Sequence, residues 1–289
     1  MSLTLQRGFE YGVLHLYSPR SGPLLSVLEE LNFVSEYSAH FLISFGCVYV
    51  KNQRVIREDF ALDSGDYLRL HTRPRRFPMP LLPLAEVRVF ENENFLVINK
   101  QPAVPCHPTV DNLHENVLSF YSQELGQPLF LTHRLDVPTS GLLLLAKTKE
   151  YQSEFNNLLK ARKVRKIYQA QAHGVVKEQG LWRHYMKPSP RAPKEVFLQA
   201  QEQDYQLCEL LAKVLEIQEQ KSLLEIELLT GRTHQIRAQS QAMGHPLIGD
   251  TLYGAPKFYD QDQIALKAVE LRFEDPTALQ EYHFKLPGL

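Results

Sequence analysis

The chain contains little cysteine. Its three cysteines, Cys47, Cys106 and Cys208, are widely spaced among 289 residues. None belongs to a Cys-x-x-Cys pair that could bind zinc or run redox chemistry, and an odd number cannot pair completely within one chain. We therefore expect reduced thiols, a cytoplasmic location and no cysteine-based metal site.

Long hydrophobic runs and a strong net charge are also absent. No apolar stretch reaches the roughly 18 residues of a membrane helix, and Met1 to Leu5 lack the basic segment and apolar core of a secretion signal. The formal net charge of -1 argues against a protein that coats nucleic acid by bulk charge. With 44% hydrophobic and 22% charged residues, the composition predicts a soluble globular protein of one or two domains.

Positive charge is nevertheless concentrated between positions 160 and 194. Ten cationic side chains there accompany a single acid, Glu178, and Tyr168, Trp182 and Tyr185 lie among them. A solvated helix end would explain three such cations, whereas ten with interleaved aromatic residues favour a nucleic-acid backbone as partner. The ten are Lys160, Arg162, Lys163, Arg165, Lys166, Lys177, Arg183, Lys187, Arg191 and Lys194.

A polar turn directly precedes an apolar run, Leu142 to Ala146, which predicts a strand buried on both faces. Asp136 lies in that turn, and it could be an ordinary turn residue or a carboxylate held for chemistry. A carboxylate beside the core needs hydrogen bonds or a cation to stay ionised. A second polar segment, Thr230 to Arg237, follows another apolar stretch and offers such groups.

These two segments resemble motifs of the pseudouridine synthases, in particular the branch that acts on large-subunit ribosomal RNA and transfer RNA. His133 to Asp136, with Thr139 to Gly141, is similar to the signature around that family's essential aspartate. Gln239, where the family usually has a histidine, and Pro138 depart from the pattern and bear on subgroup and RNA target more than on activity. The other matching segments, in the family's order, are Asn99 to Pro108, Arg165 to Ala170, Gly231 to Arg237 and Gly244 to Gly254.

The resemblance implies an α+β fold, with a mixed, mainly antiparallel sheet flanked by helices and a cleft across its middle. It implies an isomerase, an RNA pseudouridine synthase, that flips a uridine out of its helix, breaks the N1 glycosidic bond, rotates the base and joins C5 to the same sugar carbon. This chemistry needs no cofactor and no metal. The implied partner is ribosomal or transfer RNA, while the target uridine and the oligomeric state stay open, with a monomer as the default.

The resemblance also assigns roles to individual residues. Asp136 would attack C1′ or remove the 2′ proton, and the sequence does not choose between these routes. Tyr168 would stack on the base or help remove the C5 proton. Arg232, at a strand end and just before a predicted helix, is the candidate cation for the Asp136 carboxylate. The expected RNA-binding residues are Arg134, which would fill the gap left by the flipped base, and Arg165, Lys166 and Arg237, which would hold phosphates.

The first 70 residues predict a small α+β module of two helices and a hairpin. Its segments Gly46 to Asn52 and Gly65-Asp66 resemble the small alpha-L RNA-binding domain that is often fused to these synthases; an unrelated packing module is the alternative. Residues 71–83 contain four prolines and predict a linker, in which arginines could touch phosphate or simply be solvated. Residues 84–289 would form the catalytic domain.

Periodicity predicts the main elements of both parts. Those of the first part are a helix with Pro23 in its first position and Leu24, Leu28 and Leu31 at helical spacing, a helix over Tyr37 to Phe45, a hairpin around Lys51 to Gln53 and a strand over Tyr67 to Leu70. Those of the second are strands over Phe95 to Ile98, Lys166 to His173, Leu207 to Ile217 and Ser222 to Leu229, and helices over Val117 to Leu125, Tyr151 to Arg162 and Thr233 to Met243, the last capped by Thr233.

Two other functions remain as alternatives. The first is a non-catalytic RNA-binding or ribosome-assembly protein that keeps the fold. The second, a hydrolase using Ser140 and His133, lacks a Gly-x-Ser-x-Gly elbow and an oxyanion-stabilising loop. His107, His133, His234 and His245 lie in separate motifs without zinc-site spacing, so we expect no metal site. The resemblance implies instead that His133 and His245 brace the active-site loops by hydrogen bonds.

Overall fold

The computed structural model describes residues 4–6, 12–31, 33, 35–256, 263–278 and 280–289. Residues 1–3, part of the amino terminus considered above for a secretion signal, lie outside this range. The chain divides into two compact units, Met1–Met79 with His107–Ser119, and Pro80–Cys106 with Phe120–Leu289. The sequence did not indicate that His107–Ser119 would pack with the first unit. No helix among the described residues is long and apolar enough to cross a membrane.

The first unit contains a five-stranded antiparallel sheet and two short helices. Leucines and valines at alternate positions of the strands point to the helices and form the core with them. The strand order is β1-β2-β7-β4-β5, and β3 pairs with β6. The elements are β1 (Thr4–Gln6), β2 (Val13–Tyr17), β3 (Gly22–Pro23), α1 (Leu24–Glu30), α2 (Ala39–Ser44), β4 (Val48–Val50), β5 (Gln53–Val55), β6 (Ala61–Leu62) and β7 (Tyr67–His71).

Helix α2 shows why this region folds as the sequence predicts. The Ser38 hydroxyl accepts a hydrogen bond from the Phe41 amide at 3.2 Å and caps the first turn. Gly46, at φ +78°, lets the chain leave the helix in a left-handed conformation and enter β4. The predicted helices and hairpin are present with shorter bounds, whereas β1 and β2 were not predicted.

The proline-rich segment has no regular element between residues 74 and 83, as predicted. Its arginines are not simply solvated. The Arg75 guanidinium binds Asp111 at 2.6 Å, and that of Arg76 binds Glu115 at 2.6 Å. Both acids are buried, so these ion pairs fasten residues 107–119 to the chain that precedes the second unit.

The second unit is built on an eleven-stranded sheet with the order β14-β13-β15-β16-β12-β17-β11-β9-β8; β10 pairs with β11, and β18 pairs with β17. The elements are α3 (Leu84–Val87), β8 (Arg88–Glu91), β9 (Phe95–Lys100), α4 (Val117–Glu124), β10 (Phe130–Leu131), β11 (Ser140–Ala146), α5 (Lys149–Lys160), β12 (Arg165–His173), β13 (Gly180–Met186), β14 (Val196–Phe197), β15 (Gln206–Gln218), β16 (Lys221–Leu228), α6 (Gln235–Ala242), a 3-10 turn (Thr251–Tyr253), β17 (Leu266–Glu274) and β18 (Glu281–Lys285).

Strand β11 lies inside this sheet, with Leu142 to Ala146 buried as predicted. It runs antiparallel to β9 and parallel to β17. Gly141 permits that parallel pairing, because a Cβ on it would lie 2.2 Å from the Ala268 carbonyl oxygen. The turn carrying Asp136 is thereby held against the middle of the sheet.

The mixed, mainly antiparallel sheet with few helices confirms the predicted α+β class. Several strands were not predicted, among them β13, β17 and β18. Strand β13 lies between the matched segments Arg165 to Ala170 and Gly231 to Arg237 and pairs with β15 over seven residues. Its mixed polar and apolar residues suit a strand near the edge of a sheet, which leaves only a weak sequence pattern.

Candidate active site

A pocket of about 610 Å³ brings the two polar segments together in the second unit. One wall is the turn between β10 and β11, with Asp136; the second is β12, with Lys166 and Tyr168; the third is the loop from β16 into α6. All three walls come from strand ends or a central strand, which explains why the polar residues follow apolar runs in the sequence.

The Asp136 turn is fixed by a buried lysine. The Thr139 amide donates to the Asp136 carbonyl at 3.0 Å and closes the turn. Lys100, 2% exposed at the end of β9, donates from Nζ to the carbonyls of Val137 at 3.2 Å and Thr139 at 2.9 Å. Burial lowers the pKa of Lys100 to about 8. The sequence shows Lys100 only as the polar end of a buried strand, and we assigned it no function.

The Asp136 carboxylate faces Arg237 rather than Arg232. Arg237 Nη1 lies 3.5 Å from Asp136 Oδ2, while Nε and Nη2 bind the buried Asp250 at 2.7 and 2.8 Å. Burial opposes the Arg237 charge, but the hydrogen bonds to Asp250 and the two carboxylates hold the Arg237 pKa above its ordinary value. The described contacts of the Arg232 guanidinium are limited to the Leu207 carbonyl, at 3.5 Å.

The start of α6 explains this correction. The helix begins at Gln235, preceded by His234 in a left-handed conformation at φ +58°, and not at the predicted cap Thr233. The Gln235 side chain instead accepts hydrogen bonds from the Arg232 amide at 3.0 Å and the Thr230 hydroxyl at 2.8 Å. Since residues 235–240 are all buried, Arg237 points into the protein, whereas Arg232 precedes the helix and is exposed.

His234 is the second group beside the carboxylate. Its Nε2 lies 3.9 Å from Asp136 Oδ1, and its Nδ1 contacts the Tyr253 hydroxyl at 3.0 Å. Burial lowers the His234 pKa, with Arg237 acting in the same direction and the Asp136 charge opposing it. The imidazole is therefore neutral near pH 7, and Arg237 supplies the positive charge at Asp136. The sequence motif contained His234, Asp250 and Tyr253, but we had not assigned them to this site.

Tyr168 lies on the pocket wall at an irregularity of β12. The register of β12 against β17 shifts between Ile167 and Tyr168, and such a bulge re-aims the side chain. Tyr168 is 5% exposed and has Ala170 on the same face of the strand. Burial, followed by the charges of Asp136 and Cys106, raises the Tyr168 pKa, so the phenol is neutral at physiological pH.

The four predicted RNA-binding residues occupy different environments. Arg134 is exposed at the pocket and donates to the Thr233 hydroxyl at 2.8 Å. Lys166 also lines the pocket; burial lowers its pKa, and it forms no ion pair with the described residues. Arg165 lies outside the pocket lining and binds Glu227 and Glu270, each at 3.1 Å. Arg237 is 4% exposed, so burial conflicts with its predicted phosphate contact.

The cations between residues 160 and 194 are less available to a nucleic acid than the sequence indicates. Arg162 and Arg183 both bind the buried Glu209, at 3.4 and 2.8 Å. Of the interleaved aromatic residues, Tyr168 and Trp182 are 5% and 3% exposed, so neither lies open on a basic surface. The ten cations therefore do not form one aromatic-lined face, because strand alternation and acids from β15 and β16 divide them.

Histidines brace the neighbouring loops. His133 Nε2 accepts a hydrogen bond from the Leu144 amide at 3.2 Å, and His245 contacts the His173 carbonyl at 2.9 Å, as the sequence predicted. Burial, with a smaller effect of Lys166, lowers the His133 pKa to about 3. No cluster of metal-ligating side chains occurs within the described ranges, and all three cysteines are buried free thiols.

Comparison with known proteins places these features in a family. Residues 94–242 match the family described as RNA pseudouridylate synthase. The chain is 34% identical over 227 residues to the chloroplastic RNA pseudouridine synthase 6 of Oryza sativa subsp. japonica, covering 70% of this chain but only 47% of that protein. It is 30% identical over 287 residues to the ribosomal large subunit pseudouridine synthase D of Neisseria meningitidis serogroup A, covering 92% and 75% of the two chains.

A solved structure supports the same fold. The human RNA pseudouridylate synthase domain containing 4 superposes with a TM-score of 0.57 at 23% identity, covering 71% of this chain and 90% of that one. The matched residues 94–242 include Asp136 on one wall of the pocket and Arg237 on another. The chain therefore belongs to the RNA pseudouridylate synthase family.

Proposed function

We propose that this chain is an RNA pseudouridine synthase that isomerises uridine in ribosomal or transfer RNA, with Asp136 as its catalytic carboxylate. The observation that carries the proposal is the position of Asp136 on the wall of the 610 Å³ pocket. Its carboxylate lies 3.5 Å from the buried Arg237, which also binds Asp250. Family membership supports the activity, and the positive charge of Arg237 beside Asp136 supports this carboxylate as the catalyst.

The reaction requires an ionised carboxylate beside the sugar of a flipped nucleotide. Arg237 supplies a fixed positive charge, and Asp250 holds its guanidinium in place with two hydrogen bonds. The Arg237 guanidinium thereby lies 3.5 Å from the Asp136 carboxylate in a fixed position. Asp136 is then available to attack C1′ or to remove the 2′ proton, and both routes remain open.

Tyr168 is proposed to stack on the base. Because burial raises its pKa, the free enzyme holds a neutral phenol rather than a phenolate that could act as a base. We propose that this neutral ring on the pocket wall is the surface against which the detached uracil turns before C5 meets C1′. The C5 proton leaves to solvent and N1 gains one, so the product is an isomer of the substrate.

Charge at the pocket favours RNA. The described lining residues include six lysine or arginine side chains and one acid, Asp136; the six are Arg134, Lys160, Arg162, Lys166, Arg232 and Arg237. Arg162 and Arg237 bind acids outside this lining, and the described lining itself carries more positive than negative charge. Phosphates flanking a flipped nucleotide would occupy such a rim. Arg134 is proposed to fill the gap left by the base, and Arg232 to contact RNA rather than Asp136.

The experiment is release of tritium from RNA labelled at C5 of uridine. Ribosomal and transfer RNA fractions are incubated separately with wild type, Asp136→Asn and the control Asp204→Asn, whose carboxylate is exposed on the β14–β15 connection. We expect release by wild type and the control, and a loss of at least about 1,000-fold in Asp136→Asn, since the amide can neither attack nor take a proton. Circular dichroism checks that folding is unchanged.

The outcomes separate the candidate functions. Release by Asp136→Asn at the wild-type rate would remove the proposed catalyst. No release by wild type from either fraction, while the protein still binds RNA, would support the non-catalytic RNA-binding alternative. Sequencing of the RNA after a positive result would identify the modified uridine.

A further inference from the structure

The first unit presents a sheet face that the proposed function does not use. On strands β2, β7, β4 and β5, the alternate residues that avoid the core are aromatic or cationic, apart from Val13 at the start of β2. His15 pairs in register with Arg69, Arg69 with Tyr49, and Tyr49 with Arg54, so one row crosses four strands. A second row places Tyr17 opposite Tyr67.

The side chains of this face are ordered by contacts with one another. The Arg69 guanidinium carbon lies 4.2 Å from the centre of the Tyr49 ring, and that of Arg54 lies 5.3 Å from the same centre. The rings of His15 and Tyr67 are stacked with centroids 5.9 Å apart, and Tyr17 is tilted against Tyr67 at the same separation. These contacts fix the rings before any ligand arrives.

One end of the face is closed and the other is open. Tyr49 is 8% exposed, and its hydroxyl donates to the Val110 carbonyl at 2.9 Å, in the segment 107–119 that packs on this unit. At the other end Tyr17 is 62% exposed, and His15, Tyr67 and Arg69 are half-buried. The open end therefore offers flat ring surface beside a cation.

We infer that the open end, formed by His15, Tyr17, Tyr67 and Arg69 and named here the stacking face, binds unpaired bases of single-stranded RNA. Aromatic side chains on a sheet are a general solution for holding unstacked bases, because every base has a flat π surface. Arg69 adds a positive charge that can contact the RNA backbone, because neither Arg69 nor Arg54 forms an ion pair with any described residue. Asp66, next to Tyr67, is already bound by Lys51 at 2.9 Å.

The helices of the same unit argue for the sheet as the binding surface. Neither α1 nor α2 contains lysine or arginine, and α1 ends in Glu29 and Glu30. Phosphate contacts by these helices would lack cations. The inference goes beyond the proposed function, because it concerns a site in another unit and holds whether or not Asp136 is the catalyst.

The test measures binding by the full chain. Fluorescence anisotropy compares a labelled oligouridylate of roughly 12 nucleotides with a hairpin of the same length, using wild type, Tyr17→Leu, Tyr17→Phe and Ile56→Ala. Ile56 is an exposed apolar residue outside the stacking face and serves as the matched control. All four proteins also carry Asp136→Asn, so that no modification occurs during the measurement.

We expect Tyr17→Leu to bind the single strand about tenfold more weakly, whereas Tyr17→Phe and Ile56→Ala stay within about twofold of the parent. Arg69→Gln should lower the salt dependence by about one counterion, and the hairpin should be insensitive to Tyr17→Leu. Cross-linking with 5-iodouridine should then label a peptide containing Tyr17 or Tyr67.

Three results would overturn the inference. One is an unchanged single-strand affinity in Tyr17→Leu, and another is cross-linking confined to the second unit. The third is self-association in sedimentation that Tyr17→Leu abolishes without any effect on RNA affinity, because the stacking face would then bind protein. Since no arm depends on tritium release, failure here leaves the proposed function untouched.

Discussion

Cations of the first unit and cations of the pocket in the second unit occupy different surroundings. Among the described residues of the first unit, ion pairs join five lysines or arginines to acids: Arg20 to Glu30, Lys51 to Asp66, Arg57 to Asp59, Arg75 to Asp111 and Arg76 to Glu115. In the second unit, the described lining of the pocket holds six cations and a single acid, although Arg162 and Arg237 also bind acids outside the lining. The first arrangement stabilises local structure, while the second leaves positive charge for an anion.

This difference separates two ways of binding RNA. The pocket can attract phosphates by charge and then act on one nucleotide. The stacking face has little net charge to offer, so its proposed contribution is aromatic surface. Binding at the pocket should depend strongly on salt, and binding at the stacking face should depend on it weakly.

The largest effect should come from breaking the most buried ion pair of each unit. Arg237→Met leaves Asp250, 1% exposed, without its guanidinium, and we expect a loss of about 3–5 kcal/mol in the free energy of unfolding. Arg75→Met should cost about 1–2 kcal/mol, because Asp111 keeps hydrogen bonds from the Thr109 hydroxyl and the backbone amide of residue 75.

Native-state hydrogen exchange measures both losses, since it reports the stability of each unit separately. Arg88→Met is the control, because its pair with Glu91 lies at the surface and should contribute no more than about 1 kcal/mol. Equal losses for Arg237→Met and Arg75→Met would show that burial does not distinguish the two pairs.

The Arg237 pair also shows what the sequence could and could not indicate. The turn at Asp136, the buried strand after it and the polar loop before α6 follow from local rules about apolar runs and turn residues. The choice between Arg232 and Arg237 does not. It depends on whether the helix begins at Thr233 or Gln235, and a left-handed His234 decides this through contacts with Tyr253 from another part of the chain.

The same limit applies to the unpredicted strands. In β2 the apolar residues alternate, which is a strand pattern, but the intervening His15 and Tyr17 gave no clear polar face. Register across four strands is needed before His15, Arg69, Tyr49 and Arg54 become neighbours. The sequence likewise shows Lys100 only as the end of a strand, because its hydrogen bonds to the Asp136 turn exist only in the folded protein.

The second prediction concerns the loss of stability of each unit at acid pH. Each unit has a buried histidine whose pKa is lowered mainly by burial, His71 to about 4 in the first unit and His133 to about 3 in the second. The unfolded chain takes up these protons first, from near pH 6.5, so stability is complete above that pH and falls as the pH drops toward the folded pKa. Between pH 6.5 and 5 each histidine should cost its unit about 2 kcal/mol.

Hydrogen exchange at several pH values measures these slopes. His71→Gln should flatten the slope of the first unit alone. His133→Gln should flatten that of the second, since the amide oxygen can still accept the hydrogen bond from the Leu144 amide. Below pH 4 the slope due to His71 should end, while that due to His133 continues to about pH 3. Slopes that both variants leave unchanged would assign the acid sensitivity to other groups.

The smallest effect should distinguish two adjacent cations on β12. Lys166 lines the pocket without a carboxylate partner among the described residues, whereas Arg165 is bound by Glu227 and Glu270. We expect Lys166→Gln to weaken single-stranded RNA binding by about threefold to tenfold at 0.1 M salt and to lower the salt slope by about 0.7. Arg165→Gln should change the affinity by less than about twofold, because its charge is already neutralised.

Anisotropy titrations at several salt concentrations test this pair, and Lys160→Gln, at the same pocket but at the end of α5, tests whether any cation of the rim would serve. The pH dependence adds a second readout. Because burial lowers the Lys166 pKa, its charge is lost at a lower pH than that of an exposed lysine, so the advantage of wild type over Lys166→Gln should shrink as the pH rises. A larger effect of Arg165→Gln than of Lys166→Gln would mean that RNA displaces the two glutamates, and that charge pairing in the free protein does not predict which cations meet phosphate.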